Sequence, residues 1–353
     1  MSRRCGEIAE QSGGDNRDSR EMTPFTASDL PLDDKGRIYH LRLFPEQVAP
    51  DIIIVGDPGR AEFIGATFFR DITCEQEHRG LVSITGTAAD TGEQVTVFGP
   101  LRTTVTTSGM GTPSLEVIVS ELVALHEIDL TTRTRKTRFP RLHIIRVGTS
   151  GGLQASTKLG TPIITSYAVG LDNTGLFYEA PYADETCARL EREVSRLLRD
   201  NMNADSRFYG KVFPYVARSE PSIVNALEEA AATLGVPTKT GLTVSASGFN
   251  AAQGRDIARL APSAPDLDKA LSEFDPMVGG QRVENMEMEA SFLLHYLGGL
   301  GHWAGAICPA IANRRQDTFL SRYPDAIENA IRVALLALAR TRNESPSAWI
   351  DIS

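Results

Sequence analysis

Three short segments set an arginine among small residues: Gly56-Asp57-Pro58-Gly59-Arg60, His78-Arg79-Gly80 and Arg146-Val147-Gly148-Thr149-Ser150-Gly151-Gly152. A phosphate dianion needs permanent cations and several hydrogen-bond donors. Arginine stays charged and grips an oxyanion through two parallel bonds. Glycine turns let backbone N–H groups approach, and the Thr149 hydroxyl adds a donor. An arginine on a turn is equally an ordinary surface residue, so each segment alone leaves both readings open. The chain has no GxxxxGK(S/T), which argues against a P-loop NTPase, and no strand pattern leads into a clean GxGxxG.

A second chemical signal is Asn285-Met286-Glu287-Met288-Glu289-Ala290-Ser291, where two carboxylates flank a methionine at the opening of an apolar helix pattern. Acidic residues in a first helical turn complement the macrodipole. Beside an anion site the same carboxylates would accept hydrogen bonds from a sugar diol, with Met288 as an apolar ribose contact.

The elements that carry these residues alternate between strand and helix. Residues 51–56, 94–99, 103–108, 142–147, 163–166, 241–247 and 303–308 read as strands, several ending in glycine. Helical periodicity marks 114–126, 185–200, 221–234, 288–297 and 324–340, with Pro113 placed as a first-turn proline. The pattern predicts an α/β fold with helices on both sheet faces and ligands beyond the carboxyl ends of the strands. Residues 129–141 and 261–285 are polar, carry proline and read as loops. Residues 1–36, rich in Gly and Ser, read as a flexible N-terminal extension preceding a single domain over 37–345.

Composition narrows the function classes. The 353 residues hold 36 Lys and Arg against 45 Asp and Glu, a net charge of −9. That balance disfavours a duplex nucleic-acid binder but leaves room for a small anion held by local arginines. The four cysteines, Cys5, Cys74, Cys187 and Cys308, are dispersed and fit neither a zinc site nor a disulfide framework. The histidines show no metal spacing. No apolar run reaches the ~18 residues that span a bilayer, and the first 30 residues lack a hydrophobic signal segment. A soluble, cytoplasmic protein with no membrane partner is expected.

Together these segments resemble the nucleoside phosphorylase superfamily, its uridine phosphorylase branch in particular. GDPGR at 56–60, HR at 78–79, SGMGTPS at 108–114, RVGTSGG at 146–152, NMEME at 285–289 and ANR at 312–314 occur in the family's order. The segment Gly248-Phe249-Asn250-Ala251-Ala252-Gln253-Gly254-Arg255 looks like the family's uracil loop. A Gln amide offers a donor and an acceptor to the uracil N3–H and carbonyls, and the arginine donates to a carbonyl that gains charge as the base departs.

The resemblance implies a three-layer fold with a twisted mixed sheet flanked by helices. It implies reversible phosphorolysis of uridine, and of deoxyuridine as a second candidate, to uracil and the sugar 1-phosphate. Gly56, Arg60, Arg146 and Thr149 would bind phosphate, with Arg79 reaching in from a neighbouring subunit. His40, also from the neighbour, would bond the ribose 5′-hydroxyl. Glu287, Met288 and Glu289 would hold the ribose, while Phe249, Gln253, Arg255 and Arg314 would bind the base. Purine-specific relatives carry an acid in a Ser-Asp pair where this chain has Asn313-Arg314, which favours a pyrimidine. No cofactor is implied, since phosphate is a co-substrate.

Several positions depart from the family pattern. Gly80 replaces a glutamate that helps bind an interface cation, which leaves that ion in doubt. Thr112 stands where glycine is usual. The two polar insertions favour a homodimer with shared sites over a hexamer. The competing readings are a purine nucleoside phosphorylase, a nucleosidase and a non-catalytic nucleoside-binding protein.

Overall fold

The computed structural model describes residues 23–89, 100–344 and 348–352. The strand expected at 94–99 and Cys5 lie outside these residues. Twelve strands form one mixed sheet. In chain order they are β1 (Asp51–Val55), β2 (Phe69–His78), β3 (Leu81–Ala88), β4 (Leu101–Thr107), β5 (His143–Val147) and β6 (Ser150–Gly152), followed by β7 (Pro162–Gly170), β8 (Tyr215–Arg218), β9 (Lys239–Ser245), β10 (Val283–Glu287), β11 (Trp303–Asn313) and β12 (Thr318–Phe319). The order across the sheet is β8-β7-β9-β10-β6-β11-β5-β1-β4-β3-β2, with β12 paired to β11.

The centre of the sheet, β4-β1-β5-β11, is parallel. Helices cover it on both faces, so β1, β5 and β11 read as largely apolar runs, while β4 buries a row of threonines; all five residues of β1 are buried. Helices α1 (Pro58–Phe68), α4 (Pro221–Leu234) and α7 (Pro324–Glu344) share one core cluster, and α2 (Thr112–Glu127) and α6 (Ala290–Gly299) share another. A third cluster packs α3 (Glu185–Asn201) and α5 (Leu267–Glu273) against β7 to β10. Strand β7 also pairs with β11 at Pro162–Ile164. That pairing closes β7, β9, β10, β6 and β11 into a ring and curls one end of the sheet around the strand ends that carry chemistry.

The expected helices and central strands are present, most with ends shifted by a few residues. Four expectations change. Residues 261–285 contain α5, whose Leu267 and Leu271 are buried, and the start of β10. Residues 129–141 contribute to a short hairpin, Ile128–Asp129 with Thr134–Arg135, and Arg138–Pro140 pairs with Trp349–Asp351. Residues 23–36 are packed rather than mobile: Leu30 is buried, and the Arg133 guanidinium donates to the Phe25, Thr26 and Leu30 carbonyls. Glu287 ends a strand instead of sitting in a first helical turn, because α6 starts only at Ala290.

At the N-terminal end of the parallel strands, Asp51 is buried and accepts from Arg342 Nη1 at 2.7 Å, while its other oxygen lies 2.9 Å from His143 Nδ1. One carboxylate thus ties β1, β5 and the last turns of α7. Asp51→Ala should cost about 3 kcal/mol, since it strands the buried His143 ring and releases Arg342. The loss should read as a lower urea midpoint at unchanged slope.

Candidate active site

The turns after β1, β4 and β5, together with the end of β10, open into one cavity of about 430 Å³. This is the position where α/β sheets take ligands. A second cavity of about 280 Å³, beside α6 and β8, holds none of the expected residues.

GDPGR is the junction from β1 to α1. Asp57 caps the helix by accepting from the Arg60 N–H at 2.9 Å, and Pro58 occupies the first turn. The helix start thereby fixes Arg60, which donates to the Val147 carbonyl at 3.1 Å. Gly56 is needed because a Cβ there would stand 3.3 Å from the Gly109 carbonyl.

Arg146 lies on β5 and is only 4% exposed. Its Nη2 donates to Glu289, and its Nε lies 3.5 Å from Glu287 Oε2. Nε and Nη1 make no hydrogen bond with the described residues. The side chain folds over Gly148, where a Cβ would meet Nη1 at 2.5 Å and Cys308 Sγ at 2.9 Å. Burial acts to lower the Arg146 pKa, but Glu289 and Glu287 outweigh it and hold the guanidinium charged. Burial lowers the Arg60 pKa, and the nearby positive charge of Arg146 adds to the effect. Two crowded guanidiniums with unused donors make an anion site.

The two carboxylates differ. Burial raises the Glu287 pKa against the pull of Arg146. Its oxygens accept from the Ser245 hydroxyl and from the Glu289 and Ala290 N–H groups. For Glu289 burial works upward, yet Arg146 and the Gly111 N–H, 2.7 Å away, bring its pKa below the ordinary value. Glu289 is therefore the better ionised acceptor, and Met288 lines the same wall.

Opposite the arginines lies the loop after β9. Arg255 stacks 3.7 Å above the centre of the Phe249 ring. It donates to the Phe249 carbonyl at 2.5 Å and to Gln253 Oε1 at 2.9 Å. Burial, then repulsion from Arg314, lowers the Arg255 pKa to about 10, so it stays charged at neutral pH. Gln253 is buried, and its amide donates to the Glu287 carbonyl at 3.3 Å. Gly254 has φ +74°, and a Cβ there would meet Asp268 Oδ1 at 2.5 Å.

Ten of the thirteen expected residues therefore line one cavity: Gly56, Arg60, Arg146, Thr149, Phe249, Gln253, Arg255, Glu287, Met288 and Glu289. Arg314 does not line it; its Nη2 donates to the Gln253 carbonyl at 2.7 Å and braces the loop. His40 and Arg79 sit together elsewhere on the chain. His40 Nδ1 is 2.7 Å from Glu121, and Arg79 stacks on the Tyr39 ring at 5.3 Å. Ile311, Ala312 and Phe319, from the β11–β12 hairpin, complete the wall beside the base loop. Nothing in their residue types marked them; a hairpin brings them in through tertiary packing.

A family model described as the Phosphorylase superfamily matches residues 50–340, and the chain belongs to that family. It is 28% identical over 299 residues to a uridine phosphorylase of Thermococcus kodakarensis, covering 84% of each chain. It is also 28% identical over 215 residues to a DeoD-type purine nucleoside phosphorylase of Listeria monocytogenes, covering 57% of this chain and 81% of the relative. Among solved structures, a Trypanosoma brucei nucleoside phosphorylase that shows uridine phosphorylase activity superposes with a TM-score of 0.76 at 26% identity. That match covers 89% of this chain and all of the other.

Inorganic phosphate should stabilise the protein by about 2.7 kcal/mol at a hundred times its Kd. Thermal denaturation should show a raised midpoint in the wild type and little or none of that rise in Arg60→Gln.

Proposed function

We propose that this protein is a uridine phosphorylase that converts uridine and phosphate reversibly to uracil and ribose 1-phosphate. The observation that carries the reading is the order of groups in one cavity: Arg60 and Arg146, then Glu287, Met288 and Glu289, then Gln253 and Arg255. That order matches phosphate, ribose and base in line. Phosphate held by the arginines attacks C1′ while the C1′–N1 bond breaks through an oxocarbenium-like state, and holding it in line is a proximity effect. The departing uracil carries the electron pair of the broken bond. Arg255 and the Gln253 amide stabilise its carbonyls, and solvent protonates the released anion.

A purine enzyme would need an acid to protonate the leaving ring. By the resemblance Arg314 stands where that acid would be, directly after Asn313 at the end of β11; Asn313 is itself fully engaged. Its amide donates to the Gln154 and Thr157 carbonyls, and its oxygen accepts from the Arg315 and Gln316 N–H groups. The arginine pair in the cavity speaks against hydrolysis, which has no phosphate to hold.

We further propose a homodimer in which His40 and Arg79 complete the partner's cavity, at the ribose 5′-hydroxyl and the phosphate. Their place together outside their own cavity supports that reading. Among the described residues no helix is long and apolar enough to cross a membrane. We place the enzyme in the cytoplasm, in pyrimidine salvage.

Uracil release from uridine should require phosphate and exceed inosine turnover. Release without phosphate would make the protein a nucleosidase, and efficient inosine cleavage would overturn the reading of the base loop. Arg255→Ala should lower uridine turnover at least about 10-fold, as expected for losing one preorganised donor. Its circular dichroism should remain unchanged. Exchanging subunits between His40→Ala and Arg60→Ala proteins should restore measurable activity, because each mixed dimer regains one intact site. No recovery would place His40 outside the shared site.

A further inference from the structure

Asp172 lies just beyond β7, is 4% exposed and lines no part of the cavity. A carboxylate is costly to bury unless its oxygens are well used. One oxygen accepts from the Thr174 N–H at 2.8 Å and the Gly175 N–H at 3.2 Å. The other accepts from the Tyr215 hydroxyl at 2.7 Å and the Ser291 hydroxyl at 3.3 Å. The Tyr215 ring is wedged beside Gly170 and Gly175, where added Cβ atoms would come within 2.3 and 2.4 Å of it. Burial and the Asp172 charge both raise the Tyr215 pKa, so its hydroxyl remains a donor.

Two hydrogen-bonded routes lead from Asp172 to the cavity. Through Ser291, whose N–H donates to Ser245 Oγ at 2.9 Å, the first reaches the Ser245 hydroxyl, which donates to Glu287. The second runs through the Thr174 turn, whose hydroxyl lies 3.1 Å from that of Thr112. Thr112 follows Gly111, whose N–H donates to Glu289. Thr112 is the residue that departs from the glycine usual at this place, and its hydroxyl makes the link. Asp172, Tyr215, Ser291, Ser245 and Thr112 are all buried, so water does not substitute for the missing partner when one bond is removed.

We infer that Asp172 is a positioning residue that holds Glu287 and Glu289 in register, and so helps set the preference for ribo- over 2′-deoxyribonucleosides. The inference rests on the proposed uridine phosphorylase reading, in which Glu289 bonds the 2′-hydroxyl. A misplaced Glu289 weakens only the substrate that carries this hydroxyl, whereas general damage weakens both.

The test is Asp172→Ala, which removes the acceptor from the Thr174 turn and from the Tyr215 and Ser291 hydroxyls and so cuts both routes. Losing hydrogen bonds to a charged acceptor should lower kcat/KM for uridine about 10-fold or more. The fall for 2′-deoxyuridine should be less than about 3-fold, because that substrate lacks the 2′-hydroxyl contact. Equal falls, or no fall, overturn the inference. Amide hydrogen exchange in the ligand-free protein is the second readout. The Gly111, Glu289 and Ala290 N–H groups, which donate to the two carboxylates, should exchange at least about 10-fold faster in the variant. Unchanged exchange there overturns the inference even if wild-type protein turns over neither nucleoside, an outcome that by itself counts against the uridine reading. If Asp172→Ala does not fold, Asp172→Asn keeps the turn acceptor but sets an NH2 against the Ser291 hydroxyl, and should speed exchange at Glu289 and Ala290 through the Ser291 route; no shift there overturns the inference.

Discussion

The buried charge of Arg146 is the constraint around which the rest of the site is arranged. A guanidinium 4% exposed in the middle of a sheet is tolerable only with carboxylates beside it. Those carboxylates come from the end of β10 and the turn after it, on the far side of β6 and β11 in the sheet order, so the ring closure of the strands is what brings them into reach. Glycine at 148 follows from the same demand, because the arginine lies where a side chain would stand. The neutralisation is incomplete in its geometry: one nitrogen is committed to Glu289, while Nε and Nη1 receive no hydrogen-bond partner from the described residues.

The base end solves a similar problem with a different balance. Arg255, Arg314 and Arg315 cluster around one carboxylate, Asp268, which accepts from Arg315. Arg314 spends its donor on the Gln253 carbonyl. Positive charge is thus kept near the loop while only Arg255 reaches the cavity wall. A leaving group that gains negative charge meets a field already in place, with little reorganisation left to do. Asp268 belongs to α5, so a stretch that reads as polar loop supplies the anion that keeps these arginines together.

How much was legible follows from which signals are local. Strands β1, β5 and β11 were readable because burial on both faces makes them largely apolar, and α4 because its proline, periodicity and terminal glycine agree. Helix α1 was not read, since its first turn is the GDPGR segment itself and its pattern is short. Strands β2 and β3 alternate weakly at the sheet edge, where β2 is largely exposed. In the site, residues held by their own strand ends were found from residue type and motif. Arg314 was assigned to the base by motif, but its guanidinium is drawn to a backbone carbonyl that only the folded loop presents. Ile311, Ala312 and Phe319 carry no chemical signature at all, and Asp172 and Tyr215 are remote from every motif.

On the proposed reading, the same charge arrangement lets phosphate and ribose share one cation without competing for it. Glu289 takes Nη2 of Arg146, while Nε and Nη1 make no hydrogen bond with the described residues, so an oxyanion that reaches them adds partners and does not displace the carboxylate. Its negative charge also relieves the repulsion that, after burial, lowers the Arg60 pKa. Glu287 sits differently: burial raises its pKa despite Arg146, and it is held by three donors at the start of α6. With the Glu287 pKa raised by burial, the two carboxylates offset the two arginines less strongly than two ordinary carboxylates would. Glu289 stays ionised for the sugar. One buried arginine can then serve both substrates because its two carboxylate neighbours are not equivalent, and the non-equivalence arises from which of them receives the Gly111 N–H and the direct arginine bond.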